Sequence, residues 1–137
     1  MEWPAVSCAV QEVPPCSPPP WGTLNAIDAD TAEVKWTVPV GQMPGAPPGL
    51  GSLSLGGPII TAGGLIFMAG TLDAAIRAFD VTNGEELWKG ALPTSARATP
   101  MTFRGPNGKQ YLVIAAGGHW IREAGPLGDA LVAFTLP

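Results

Sequence analysis

The stretch AFDVTNGEELW, residues 78–88, decides the fold because the sequence contains it twice. It aligns without a gap with AIDADTAEVKW, residues 26–36, and a third, partial copy begins at residue 133. Repeats about 50 residues apart that each contain several short strands are typical of β-propeller blades. The shared framework positions are Ala26, Asp28 and Trp36 in the first copy and Ala78, Asp80, Gly84 and Trp88 in the second.

Each framework residue has a physical reason for its position. An Asp at the start of a turn accepts hydrogen bonds from turn amides, and Gly84 can adopt positive φ. Trp88 then brings a large apolar surface to the next strand, where we expect it to pack against a neighbouring blade. Ala32 stands in the first copy where Gly84 stands in the second. A left-handed Ala costs about 1 kcal/mol, so the turn of the first copy is expected to be less stable than the turn of the second copy.

The composition excludes several classes of protein. Hydrophobic residues make up 46% of the chain and charged residues 13%, which argues against intrinsic disorder. A net charge of -4 gives no basic surface, so no nucleic-acid partner is expected. The longest apolar stretch, residues 56–70, is interrupted by Pro58 and several glycines, so no membrane span is predicted in this chain.

Short apolar runs separated by Gly and Pro turns predict an all-β chain, since no segment keeps a helical period over three turns. The strands correspond to about two and a quarter four-stranded blades, fewer than a closed propeller requires. We therefore predict a partial β-propeller; a small β-sandwich of about nine strands is the alternative. The predicted units are a Pro-rich irregular leader (1–21), the last two strands of one blade (22–40), a loop (41–56), a complete blade (57–92) and three strands of a closing blade (93–137).

Two cysteines, Cys8 and Cys16, lie in the Pro-rich leader. A disulfide between them is possible in an oxidising compartment, and two free thiols fit the sequence equally well.

The repeat Ala-x-Asp-x-x-x-Gly-x-x-x-Trp resembles the tryptophan-docking repeat of quinoprotein dehydrogenases, which are eight-bladed propellers that bind pyrroloquinoline quinone (PQQ). Further stretches, in the same order, resemble the carboxy-terminal part of the membrane-bound glucose dehydrogenase branch. The resemblance covers residues 14–137. It is carried by PPWGTLNAID, LGGPIITAGGLIFMAGTLDAAIRAFD, LWKGALPTSARATPMTF, GKQYLVIAAGGH and LGDALVAFTLP.

This resemblance implies the carboxy-terminal fragment of an oxidoreductase on the periplasmic side, attached to the membrane through upstream segments. Such enzymes oxidise a glucose-like aldose or an alcohol and pass electrons to a quinone or a cytochrome. PQQ, held over calcium or magnesium, supplies the chemistry. In the family the catalytic base and the metal ligands lie mostly in upstream blades. The chain alone is therefore expected to be inactive, to bind PQQ weakly and to need those blades as partners.

Two residues match family positions near the cofactor and the substrate. Asp73 ends a turn between strands of the complete blade, and His119 follows a strand and two glycines that would let the backbone approach a ligand. A carboxylate can orient a base, and His handles protons near neutral pH. The alternatives are an Asp that only caps turn amides and a solvated loop His. Arg77 and Arg97 are interpreted as framework charges, with Arg77 paired to an acid between blades.

The sequence departs from the family directly after His119. Trp120 occupies the position after His119, where the family usually has a Gly-rich sequence, and the loop continues through Arg122 and Glu123. A large ring there would narrow substrate access or cover the loop, so glucose is in doubt as the substrate.

Two functions other than an enzyme fragment remain open from the sequence. One is a non-catalytic propeller scaffold or interaction module, because the tryptophan repeat also occurs in structural propellers. The other is a chain that completes a ring with its own copies through open strand edges. The stretches LGGP, TLDAAIRAFD and AAGGH favour the enzyme, since a scaffold needs only the repeat framework.

Overall fold

The computed structural model describes Pro15, residues 17–121 and residues 125–135. The described residues form strands and no helix, which confirms the all-β prediction. Cys8 and Cys16 lie outside the described residues. The strands are β1 (Thr23–Ile27), β2 (Val34–Pro39), β3 (Ile59–Ile60), β4 (Leu65–Met68), β5 (Ala75–Asp80), β6 (Glu86–Ala91), β7 (Met101–Arg104), β8 (Gln110–Ala116) and β9 (Ala130–Thr135).

These strands form three separate antiparallel sheets, each in chain order. The first sheet contains β1 and β2, the second contains β3 to β6 and the third contains β7 to β9. Short connections join neighbouring strands within each sheet, except for the longer loop of residues 117–129 between β8 and β9. The segments of residues 40–58 and 92–100 connect one sheet to the next. A series of small antiparallel sheets connected in this way is the blade arrangement of a propeller.

The two copies of the repeat have the same turn geometry. Ala32 adopts φ 59° and Gly84 adopts φ 74°, so the first copy does hold an Ala in the left-handed region. The amide of Ala32 donates to the carbonyl of Asp28 at 2.8 Å, and that of Gly84 donates to the carbonyl of Asp80 at 2.9 Å. The shared sequence spacing therefore produces one turn structure, whether Gly or Ala occupies the left-handed position.

The tryptophans of the repeat connect adjacent sheets. The indole Nε1 of Trp36 donates to the carbonyl of Val81 at 3.1 Å, and its ring lies against Gly84 of the second copy. Trp88 meets Phe134 of the third sheet edge to face, with ring centroids 5.2 Å apart. Trp88 thus packs against the neighbouring sheet, as the repeat predicts.

Apolar cores lie between adjacent sheets and under the loop that follows β2. Val40, Ile66, Met68 and Phe79 form the core between the first and second sheets, with Leu24 and Trp36 against it. The core between the second and third sheets contains Ala69, Ile76, Leu92, Ala96, Leu112, Ile114 and Ala116. A third cluster, which we call the loop cluster, consists of Met43 and Leu72 with Trp21, Ala46 and Ile121 packed against them.

Candidate functional site

Asp73 and His119 occupy equivalent places in adjacent sheets. Asp73 lies between β4 and β5, and His119 lies between β8 and β9. In both sheets this connection follows the second strand. Because neighbouring blades repeat the same strand order, both connections lie at the same end of the sheets.

The loop cluster brings these two connections together. Leu72, next to Asp73, is fully buried against Met43, and Ile121, two residues after His119, packs against the same pair. The amide of Leu72 also donates to Ser52 Oγ at 3.1 Å. The loop predicted at residues 41–56 therefore forms a shared support for both candidate residues.

The carboxylate of Asp73 is held on several sides by its own chain. Thr71 Oγ1 donates to it at 2.6 Å, and the guanidinium of Arg77 donates to both of its oxygens. The backbone amide of Gln42 also donates to it, and Lys89 Nζ lies 3.6 Å away. Asp73 thus joins its own sheet to the loop that follows β2.

These contacts determine the ionisation of Asp73. Burial on its own would raise the pKa of this carboxyl, but hydrogen bonds from Arg77 and Thr71 outweigh burial and place the pKa below its ordinary value. Asp73 is therefore ionised at neutral pH. Since its oxygens already accept several hydrogen bonds, its geometry suits a positioning charge better than a free proton acceptor.

Arg77 pairs within its own sheet, so the expectation of an acid between blades is wrong. The side chain is only 4% exposed and donates to Asp73 and, from Nε, to Glu86 Oε2 at 3.1 Å. Glu86 begins β6, the strand that pairs with β5, and Asp73 lies just before β5. Neighbouring antiparallel strands bring both acids to Arg77 without any contribution from another sheet.

His119 is buried, unlike the solvated loop histidine of the alternative interpretation. Its side chain is 2% exposed, and the amide of Ile121 donates to Nδ1 at 3.1 Å. Since Nδ1 accepts, the proton of the neutral ring belongs on Nε2. Nε2 is buried and has no hydrogen-bond partner within the described residues. A buried donor without an acceptor is a position where a ligand can supply one.

The surroundings of His119 keep the ring neutral. Burial lowers the pKa of His119 below its ordinary value, and the nearby positive charge of Arg97 lowers it further. At neutral pH His119 therefore presents an N–H donor rather than a cation. The indole of Trp120 lies beside the ring, with centroids 5.7 Å apart.

The two glycines before His119 serve the loop itself. Gly118 adopts φ 85°, and a Cβ there would lie 2.7 Å from the Cα of Leu127. The amide of Gly128 returns to donate to the carbonyl of Gly117 at 3.1 Å. The close backbone approach that the sequence predicts for a ligand is thus made to the returning end of the same loop. Arg122 and Glu123, in the middle of this loop, lie outside the described residues, and Trp120 is 58% exposed.

A cleft of about 200 Å³ lies beside the backbone that carries His119. Its lining residues are Arg97, Ala98, Ala115, Gly117 and Gly118. Ser95, two residues before Arg97, is fully buried and its Oγ has no partner within the described residues. No sequence pattern singled out Ser95, and Arg97 was expected to have only a framework role. Their proximity to His119 arises from packing between distant segments, which no local sequence pattern signals.

The described residues were also compared with the requirements of a metal-binding cluster and of a membrane-spanning helix, and they meet neither. These residues contain no group of three or more His, Cys, Asp or Glu side chains that could hold a metal ion. No helix long and apolar enough to cross a membrane occurs among them.

Comparison with known proteins identifies the family. Residues 5–112 match the family described as "PQQ: Glucose/ethanol/alcohol dehydrogenase, beta-propeller domain". The quinoprotein glucose dehydrogenase of Escherichia coli (strain K12) is 46% identical over 132 residues, which cover 90% of this chain and 16% of that protein. The quinate/shikimate dehydrogenase (quinone) of Acinetobacter baylyi is 42% identical over 132 residues, covering 89% of this chain and 16% of that protein.

The fold is also similar to that of a solved structure. Quinohemoprotein alcohol dehydrogenase from Comamonas testosteroni aligns with a TM-score of 0.59 and 30% identity, over 77% of this chain and 14% of that chain. The prediction of a partial propeller is therefore confirmed. The chain spans about a sixth of the length of the curated relatives described above. It belongs to the β-propeller family of PQQ-dependent glucose, ethanol and alcohol dehydrogenases.

Proposed function

We propose that the chain is the carboxy-terminal part of the catalytic propeller of a PQQ-dependent dehydrogenase that oxidises a sugar, polyol or alcohol. The observation that carries this proposal is His119, a buried neutral imidazole whose Nε2 has no partner in the described chain. A propeller that served only as a scaffold would gain nothing from this arrangement, because burying an unpaired donor costs about 1–3 kcal/mol.

The described residues fit PQQ through the donor that they leave free. PQQ carries carboxylate and quinone oxygens, and each can accept a hydrogen bond from His119. When bound, the quinone takes up the two electrons removed from the substrate. Within this chain, His119 Nε2 would donate to the cofactor or the substrate. Asp73 would act through Arg77 and Gln42 to keep the supporting loop in place.

The proposal extends to parts of the enzyme that this chain does not supply. The divalent cation, calcium or magnesium, would be held by residues other than those described. The electron acceptor would be a quinone or a cytochrome, and the enzyme would act on the periplasmic side, attached to the membrane by other segments. The isolated chain would lack activity. Family membership supports these statements, and the names of the relatives include both glucose and quinate as substrates.

Reconstitution of the full chain tests this function. The full-length protein that carries these residues is purified without cofactor, loaded with PQQ and calcium or magnesium, and assayed with an artificial electron acceptor on glucose, quinate and ethanol. Activity is expected only after PQQ is added. His119→Asn should lower kcat/KM about tenfold or more, because one hydrogen bond at the reacting end is lost. Asn107→Ala, in the exposed β7–β8 turn, is the matched control and should leave kcat/KM unchanged.

Two results would contradict the proposal. One is a folded full-length protein that neither binds PQQ nor oxidises any of these substrates, which would favour the scaffold alternative. The other is a His119→Asn variant with unchanged kinetics and unchanged PQQ affinity, which would place the reacting groups elsewhere.

A further inference from the structure

The β8–β9 loop, which carries His119, is held near both of its ends by one short segment. This segment lies between β6 and β7 and joins the second sheet to the third. The amide of Gly118, near the start of the loop, donates to the carbonyl of Ser95 at 2.8 Å. The hydroxyl of Thr94 donates to the carbonyl of Pro126, near the end of the loop. Two adjacent residues, Thr94 and Ser95, therefore hold both ends of the β8–β9 loop.

The two ends of the loop also contact each other, and Thr94 packs against them. The amide of Gly128 donates to the carbonyl of Gly117 at 3.1 Å. A Cβ on Gly128 would lie 2.9 Å from Cγ2 of Thr94, so the methyl group of Thr94 lies directly against the returning backbone. Thr94 thus contacts the base of the loop through its methyl group as well as through its hydroxyl.

The packing around Thr94 makes it a firm anchor for the loop. Leu92 and Ala96, two residues before and two residues after Thr94, are buried in the core between the second and third sheets. The side chain of Thr94 is itself only 4% exposed. A β-branched side chain has few χ1 rotamers, so Thr94 can keep both contacts at little cost in side-chain entropy. If its hydrogen bond is lost, we therefore expect the loop to move rather than the segment that holds it.

The position of His119 depends on this loop. His119 directly follows Gly118, and the amide of Ile121, in the same loop, donates to His119 Nδ1 at 3.1 Å. The amide that orients the imidazole therefore moves with the loop. We propose that Thr94 is a positioning residue that holds the β8–β9 loop and thereby keeps the imidazole of His119 in its buried orientation. This inference rests on the proposed function, because it assigns a further residue to the same site.

The first measurement is independent of turnover and uses the PQQ-free full-length protein. Diethyl pyrocarbonate acylates a ring nitrogen of an accessible neutral imidazole, and mass spectrometry of the proteolytic peptides locates the reaction. Residues 1–137 contain one histidine, so the peptide assigns the reaction to His119. In the wild type His119 is 2% exposed and should react slowly. Thr94→Val should react about fivefold faster, because the hydrogen bond that holds the end of the loop is lost.

Two further variants at Thr94 and one matched control complete the comparison. Thr94→Ser keeps the hydroxyl and should react within about twofold of the wild-type rate. Thr94→Ala removes both the hydroxyl and the methyl group that lies against Gly128, so it should react at least as fast as Thr94→Val. Thr102→Val makes the same chemical change at a half-buried position in β7, which pairs with Leu112 while β8 continues to Ala116. It should leave the rate unchanged.

The kinetics of the PQQ-loaded enzyme test whether the effect of Thr94 passes through His119. The substrate is whichever of glucose, quinate and ethanol the wild type oxidises. Thr94→Val should lower kcat/KM about fivefold in the wild-type background and leave it unchanged in the His119→Asn background, since a positioning residue acts only through the group that it positions. Thr94→Ser should restore most of the wild-type value.

The outcomes separate this inference from the proposed function. Equal losses of kcat/KM in both backgrounds would show a general structural role for Thr94 and would overturn the proposal. An unchanged rate of His119 acylation in Thr94→Val and Thr94→Ala would overturn it as well. If the wild type oxidises nothing, or His119→Asn has unchanged kinetics, the proposed function is contradicted. Faster acylation of His119 in Thr94→Val would then still establish that Thr94 positions this residue.

Discussion

At the scale of single residues, Arg77 carries a charge that is 4% exposed and must be matched within the protein. Asp73 and Glu86 provide the negative charges, and Lys89 lies close to Asp73 as a second cation. Thr71 and the amide of Gln42 complete the contacts of Asp73. The group is therefore a closed hydrogen-bonded network, and removing one member leaves another uncompensated.

Arg77→Met is expected to lower the free energy of unfolding of the full chain by about 3 kcal/mol at pH 7, because Asp73 then stays partly buried without its main cation. The pH dependence follows from the lowered pKa of Asp73 in the folded protein. In the wild type its stabilising contribution is complete above the unfolded pKa of about 4 and is lost as the pH falls through the folded pKa. The deficit of the variant should therefore shrink below about pH 4. Urea unfolding of the wild type and of Arg77→Met at several pH values measures this difference in the free energy of unfolding.

Two further variants help to interpret that result. Lys35→Met breaks the ion pair of Lys35 with Asp28 at the surface and should leave the free energy of unfolding almost unchanged. Arg77→Met combined with Asp73→Asn should be less damaging than the sum of the single changes, because the unpaired carboxylate is removed as well. A strictly additive double variant would show that the network does not behave as a unit.

Ala32 presents a second case at the residue scale, since it is the one non-glycine residue with positive φ in the described chain. Ala32→Gly is expected to raise the free energy of unfolding by about 0.5 kcal/mol. The substitution relieves the strain of a left-handed Ala, and this gain exceeds the loss that arises because Gly has more conformational freedom in the unfolded chain. Ala29→Gly, in the same turn but without positive φ, should lower it by a similar amount. Thermal unfolding of both variants tests this prediction. If both substitutions raise, or both lower, the free energy of unfolding, the argument that Ala32 is strained is contradicted.

At the scale of elements, the repeat was predictable from sequence because its causes are local. Turn amides, positive φ and alternating apolar residues depend on residues within a few positions of one another, and these local patterns predicted the strands from β1 to β9. The partners of Arg77, the buried loop cluster and the proximity of Ser95 to Gly118 were not predictable. Each depends on how one strand, sheet or loop packs against another, and a single sequence carries no local signal for such contacts.

Gly84 allows the contact between the first and second sheets, so Gly84→Ala should disrupt it. A Cβ at this position would lie 2.7 Å from Cε3 of Trp36, and it would also occupy a left-handed backbone. We expect a loss of about 3 kcal/mol, the cost of strain plus overpacking. Gly108→Ala is the control, because Gly108 has φ 77° and a Cβ there would meet no other atom within 4 Å. It should cost only about 1 kcal/mol.

Unfolding of both variants under the same conditions separates backbone strain from the indole contact. The difference between them measures the packing of Trp36 on the turn. If both variants lose the same stability, the contact contributes nothing, and the repeat then has only a role in forming the turn.

At the scale of the whole molecule, the first and third sheets leave apolar residues exposed. Ile27 and Val34 are cross-strand partners in the first sheet and are 62% and 60% exposed, while Met101 and Leu131 in the third sheet are 56% and 74% exposed. Between the sheets, other apolar residues of β1, β2 and β9 are half-buried. Exposed apolar faces of this kind mark surfaces that normally contact another unit.

The 137-residue chain is therefore expected to self-associate when it is produced alone, because two such faces can bury each other. Size-exclusion chromatography with light scattering, over a range of concentrations, should show species larger than a monomer. Ile27→Lys together with Leu131→Lys should shift the distribution towards monomer, since charges on both faces oppose burial. Leu127→Lys is the matched control: Leu127 is 75% exposed but lies in a loop, so association should persist. A wild-type chain that stays monomeric at every concentration and melts cooperatively would show that these faces need no partner.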